Sequence, residues 1–181
     1  MKPFLLSVIL LFCLPSHAQT TLDDYRRDVT EYSRRLKVAA AGSDAAAEAF
    51  FMQAGNLAAR YGVRLAIEAN PPMYTNYLNG TAEAFSLVKR LDNPGLAVNL
   101  DLSTMLAQGE KLQNFVDDLK YVSHVHISEP GLAPIQKRPE HKELALLLGA
   151  VGYRGFVSVE MARTDLDTVK RTLDYVAEVF Q

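Results

Sequence analysis

From residue 63 onward the sequence alternates short runs of aliphatic residues with helical segments, and this alternation restricts the fold more than any other feature. The apolar runs cover residues 64–69, 96–100, 121–127 and 156–159. Helical segments begin near Thr81, Met105, Pro139 and Asp165. Turn signals stand ahead of two runs, Asn93-Pro94-Gly95 and Gly152-Tyr153-Arg154-Gly155. Strand–helix units of about 25–35 residues predict a parallel sheet, because each parallel return needs a crossover that a helix supplies. The expected class is α/β, with about four strands and helices packed outside them.

Upstream, Leu22, Tyr25, Val29, Tyr32 and Leu36 recur at helical spacing over residues 22–41. Gly42-Ser43-Asp44 breaks that pattern ahead of a second helix over 45–61, with Gly62 at its C′ position. Residues 1–18 carry the parts of a secretory signal. Lys2 is the positive start, residues 4–14 are apolar, and Ser16 and Ala18 are small residues placed for a cut after Ala18. The apolar run is too short to span a bilayer comfortably. This reading divides the chain into a signal at 1–18 and one domain over 19–181. It implies a periplasmic or secreted protein with no membrane contact after cleavage. The alternative makes residues 4–14 a buried strand of the domain itself. A net charge of −2 from 19 basic and 21 acidic side chains, with no basic run, argues against a nucleic-acid partner. The lone Cys13 excludes an intrachain disulfide or a thiolate metal cage.

Chemistry in parallel α/β folds gathers at the C-terminal ends of the strands. Those ends are Glu68, Asp101, His126 and Glu160. Strand alternation sets Ala66 with Glu68, Asn99 with Asp101, His124 with His126, and Ser158 with Glu160 on common faces. The opposite faces carry Leu65, Ile67, Val98, Leu100, Val125, Ile127, Val157 and Val159, suited to packing under helices. A single strand-end acid is ordinarily a solvated rim residue; four polar ends in succession read as one site. Three carboxylates and an imidazole make a hard, oxygen-rich ligand set, suited to Mn²⁺, Mg²⁺ or Co²⁺. A structural zinc would want thiolates or several histidines. Without a cation the carboxylates repel, and at least one must take up a proton.

Four further residues invite two readings each. His124 is a supporting partner of His126 or a satisfied core histidine. Tyr74 and Tyr77 wall a pocket or simply pack. His141, near Lys137 and Arg138, contacts substrate or sits solvated at a helix start.

The run Ile67-Glu68-Ala69-Asn70-Pro71-Pro72-Met73-Tyr74 resembles the segment after the fifth strand in the sugar phosphate isomerase/epimerase family, of the xylose isomerase-like TIM barrel superfamily. Leu100-Asp101, His124-Val125-His126-Ile127-Ser128-Glu129-Pro130, and Gly152-Tyr153 through Val157-Ser158-Val159-Glu160-Met161 resemble its sixth, seventh and eighth strands. The resemblance covers residues 45–181 and implies a partial, half TIM barrel made of the last four strands. It implies that Glu68, Asp101, His126 and Glu160 bind one divalent metal. Glu68 and Glu160 would then be the catalytic pair, moving a proton on a small sugar through an enediolate. Two positions depart from the family pattern. Thr104 stands where many relatives have a substrate-contacting histidine, and Glu129-Pro130-Gly131-Leu132 replaces an aspartate and arginine. The departures weigh against an abasic-site endonuclease, which needs additional histidine and aspartate ligands.

A four-strand unit leaves two sheet edges open. It therefore expects a homodimer, or a separately encoded first half. The competing functions are a non-catalytic half-barrel remnant that binds a metal or partner, and a keto-polyol dehydratase.

Overall fold

A computed structural model of the chain describes residues 44–181. The signal-like stretch at 1–18 and the helical pattern at 22–41 lie outside the described residues. Helix α1 (Asp44–Arg60) leads into β1 (Leu65–Glu68), α2 (Thr81–Leu91), β2 (Leu96–Asp101) and α3 (Leu102–Gln108). A 3₁₀ segment (Leu112–Tyr121) then precedes β3 (Val122–Ser128), α4 (Pro139–Ala150), β4 (Phe156–Glu160) and α5 (Leu166–Val179).

The strands form one sheet in the order β1-β2-β3-β4, with every neighbouring pair parallel. Each crossover advances the chain by a single strand, which is the path of a TIM barrel. Among the described residues the sheet stays open, so the architecture is a partial barrel.

The expected two-faced strands are present. Leu65, Ile67, Val98, Leu100, Val125 and Ile127 form one core with Phe85, Leu87 and Val88 of α2 and Leu144 and Leu148 of α4. The ring centroids of Phe85 and Phe115 lie 5.4 Å apart, tying the 3₁₀ segment to α2. Burying a side chain such as Phe85, at 1% exposure, contributes about 1.5–3 kcal/mol. Lys89 and Arg90, on the outer face of α2, pair with Asp118 at 2.9 Å and Glu48 at 2.6 Å. Among the described residues no helix is long and apolar enough to cross a membrane.

Two local features set the register. Between β2 and β3 the pairing steps from Val98↔Val122 to Asn99↔His124, leaving Ser123 unmatched. A one-residue shift exchanges the faces of a strand, so this bulge brings Asp101 opposite His126 on a common face. The second feature is Gly95. A Cβ built there would lie 1.8 Å from the carbonyl oxygen of Gly55, where α1 crosses the start of β2. Gly95→Ala should therefore destabilise the protein by about 3 kcal/mol or more, since backbone cannot yield as a flexible side chain does. Urea unfolding measures this; a change under about 1 kcal/mol would mean the helix crossing is looser than described.

The outermost strand differs from its apolar sequence. β2 is buried throughout, whereas Phe156 of β4 is 57% exposed and the rest of that strand is half-buried.

Candidate metal centre

Each predicted ligand arrives from a separate strand. Glu68 closes β1, Asp101 closes β2, His126 lies two residues from the end of β3, and Glu160 closes β4. One ligand atom from each lies within 4.8 Å of all the others. His126 Nδ1 is the hub, 3.0 Å from Glu68 Oε1, 3.3 Å from Glu160 Oε2 and 3.8 Å from Asp101 Oδ2. Metal–oxygen and metal–nitrogen bonds of about 2.0–2.6 Å hold ligand atoms up to about 5 Å apart, so the spacing suits one cation.

The buried acids and the imidazole shift one another's titration. Burial pushes the Glu68 carboxyl pKa up, against a hydrogen bond with His126, and the Asp101 charge pushes it further. Burial alone would lower the His126 imidazole pKa. Hydrogen bonds and charges from Glu160 and Glu68 outweigh that and raise it to about 9. The His126 hydrogen bond holds the Glu160 carboxyl below its ordinary value. A protonated imidazole thus supplies the positive charge among three carboxylates. A divalent cation does the same with more charge, and the donor set fits one.

Side chains outside the predicted ligand set hold these four residues in place. Asp101 Oδ2 accepts from Ser128 Oγ at 2.6 Å. Its Oδ1 accepts from Ser103 Oγ at 2.6 Å and from the Thr104 N–H at 2.7 Å, so the ligand also caps α3. Asn99 Nδ2 donates to Glu68 Oε1 at 2.9 Å and lies 3.2 Å from His126 Nδ1. Neighbouring strand ends therefore fix one another. The signal in sequence was the inward phase of Asn99 and Ser128 on the ligand face.

Thr104, which replaces a family histidine, turns its hydroxyl to the Ala69 carbonyl at 3.0 Å. Glu129, buried beyond β3, is gripped by the Arg138 guanidinium through Nε at 2.7 Å and Nη2 at 2.5 Å. That pair anchors the loop carrying Pro130, Gly131 and Leu132.

His141 is not brought to the cluster. It lies in the first turn of α4 at 0% exposure, its Nδ1 2.9 Å from the Tyr175 hydroxyl of α5. The helix turns this face into the core, so the side chain is neither solvated nor on the cavity wall. His124 is buried beneath His126, with ring centroids 5.0 Å apart and planes at 89°. Neither of its nitrogens has a hydrogen-bond partner among the described residues, and burial lowers its pKa to about 4. It is a core histidine, but not a satisfied one. Tyr77 stacks on Phe51 at 6.4 Å, which is packing, while Tyr74 lines the cavity.

That cavity, about 210 Å³, opens beside Glu68, Asp101 and Glu160. Pro71, Met73 and Tyr74 wall one side, and Pro130, Gly131 and Leu132 contribute from the loop after β3.

Known proteins share this arrangement of strands. The chain is similar to D-psicose 3-epimerase from Clostridium cellulolyticum H10, solved with D-tagatose, at 18% identity and a TM-score of 0.65. The match covers 75% of this chain and 56% of that one. It is also similar to 3-keto-D-glucoside 4-epimerase from E. coli, at 19% identity and a TM-score of 0.64, over 89% of this chain and 56% of that one. A family 2 AP endonuclease from Brucella melitensis matches at 23% identity and a TM-score of 0.63, over 89% and 70%. At such identities the likeness is one of fold. The chain spans little more than half the length of either epimerase. No curated protein matches it in sequence. The profile of the xylose isomerase-like TIM barrel family matches residues 15–179, most of the chain, and the protein belongs to that family.

Proposed function

We propose that Glu68, Asp101, His126 and Glu160 hold one divalent cation, Mn²⁺, Mg²⁺ or Co²⁺, and that the site isomerises or epimerises a small sugar or sugar phosphate. The observation that carries this reading is the meeting of four ligand atoms within 4.8 Å at the strand ends, beside an open cavity. The cation, when bound, supplies Lewis acidity that polarises a carbonyl and steadies the charge left by proton removal.

The chain's own residues supply the rest. Glu68 and Glu160 come from the two outermost described strands and both line the cavity. One carboxylate removes the proton beside the carbonyl, and the other returns it. Asp101, held by three hydrogen bonds, is the fixed member of the set. Met73, Tyr74 and Leu132 are apolar walls that limit water at the reacting carbon.

A second assembly element belongs to the same reading. The exposed Phe156 at the open side of β4, with Leu166 and Leu173 of α5 at 85% and 52% exposure, supports association with a second copy or with a separate first half.

The test is joint. The purified chain should bind about one Mn²⁺ per chain, convert at least one of a panel of ketoses, and run above monomer mass in light scattering. Binding without turnover in every assembly state leaves a metal-binding half-barrel and removes the enzyme. Loss of water from the sugar instead of epimerisation identifies a dehydratase.

A further inference from the structure

Four uncharged polar side chains line the cavity: the exposed Tyr74, and Asn70, Ser103 and Thr104. Two are already engaged. Ser103 Oγ donates to Asp101 Oδ1, and Thr104 Oγ1 donates to the Ala69 carbonyl. Asn70 differs. Its backbone is held on both sides, the N–H donating to the Leu78 carbonyl at 2.9 Å and the C=O accepting from Asn79 Nδ2 at 2.8 Å. Its own side-chain Nδ2 is buried and has no hydrogen-bond partner among the described residues.

A buried donor left unpaired is destabilising, so a position that keeps one calls for a reason. The other orphaned atoms, Asn99 Oδ1, both nitrogens of His124 and His141 Nε2, belong to residues that do not line this cavity. The acids that line it, Glu68, Asp101 and Glu160, accept hydrogen bonds when ionised and offer none. A ligand hydroxyl has several acceptors to meet there. Among the lining side chains, a ligand oxygen that must accept has, besides a cation and the hydroxyl of the exposed Tyr74, the buried and unengaged Asn70 amide.

We propose that Asn70 is a substrate-binding residue of this site, its amide N–H donating to the carbonyl oxygen, or an adjacent hydroxyl oxygen, of a ketose. The assignment rests on reading the site as a sugar isomerase or epimerase, and it adds the residue that recognises the accepting oxygen. Such a neutral donor strengthens its hydrogen bond as negative charge develops on that oxygen, without adding charge beside the cation. The Asn70 backbone is pinned within a loop closed by Asn79, so the amide is presented without the cost of ordering a free segment.

The test compares the full chain with Asn70→Leu and with the isosteric Asn70→Asp, which keeps the shape and loses the donor. Thermal unfolding checks that both fold. Calorimetry measures Mn²⁺ affinity, then D-fructose and other ketoses with and without Mn²⁺, and turnover is followed separately. We expect ketose affinity at least tenfold weaker in both variants, with Mn²⁺ affinity of Asn70→Leu within about threefold of the parent. Unchanged ketose affinity in a folded variant overturns the assignment, as does a parent chain that binds no ketose. Ketose binding that depends on Asn70 but leads to no turnover overturns the enzyme reading and leaves Asn70 in place.

Discussion

Affinity for Mn²⁺ should climb about tenfold for each pH unit between about 6.5 and 8.5, a hundredfold across the window. The cause is the proton on His126, whose pKa is raised from 6.5 to about 9 in the cation-free cluster. Ligation needs the bare Nδ1 lone pair, so below that pKa each cation bound releases one proton. The same shift sets the stability of the cation-free chain. A histidine raised on folding contributes stability fully present below its unfolded pKa, and that contribution is lost as pH rises through about 9. Glu68, also raised, acts in the same direction, because its folded form favours the proton. Glu160, lowered, acts oppositely: its contribution is present above its unfolded pKa and fades as pH falls through the folded one. Cation-free protein should therefore lose stability from pH 6.5 to 9, while saturating Mn²⁺ protects most strongly at the alkaline end. Calorimetry at stepped pH, paired with thermal melts, measures both. A flat affinity profile would remove His126 from the ligand set.

The second large effect concerns proton transfer. Glu160→Gln keeps the size of the side chain and removes the base, so kcat should fall by about 10²–10⁴ at saturating Mn²⁺. Glu68→Gln should fall by a similar factor, and the double variant little further, because one missing member already stops a two-base exchange. Epimerisation in deuterated water checks the route. The parent chain should place deuterium at the inverted carbon, and each single variant should lose inversion. A Glu160→Gln protein that keeps both rate and deuterium incorporation would assign the chemistry elsewhere.

The strand ends were legible in sequence because strand periodicity is local. Val98-Asn99-Leu100-Asp101 and His124-Val125-His126 declare their faces over a few residues, and the end of each run is the end of a strand. Four such ends sufficed to name the cluster. What periodicity could not carry was anything that depends on pairing between segments. The unmatched Ser123, which phases β3 against β2, exists only in the relation of two strands. The clasp of Glu129 by Arg138 spans nine residues of irregular loop, which has no repeat to read. His141 was misplaced for a related reason. Its polar neighbours Lys137 and Arg138 suggested solvent, but the direction of α4 buries it against Tyr175.

The half-open strand gives the centre an unequal suspension. The Glu68 side chain is 5% exposed and the Glu160 side chain 39%, although β1 and β4 each have a paired neighbour on one side only among the described residues. β1 is buried along its length, whereas β4, which carries Glu160, is exposed or half-buried along its own. A second chain packed along the β4 edge would bear on the position of Glu160, and with it on the grip on a bound cation. Thermodynamic reciprocity then requires the converse: a cation that pulls Glu160 inward changes the affinity of the edge for its neighbour by the same factor. If both proposals hold, assembly and metal loading would be two readings of one equilibrium, joined through a single five-residue strand.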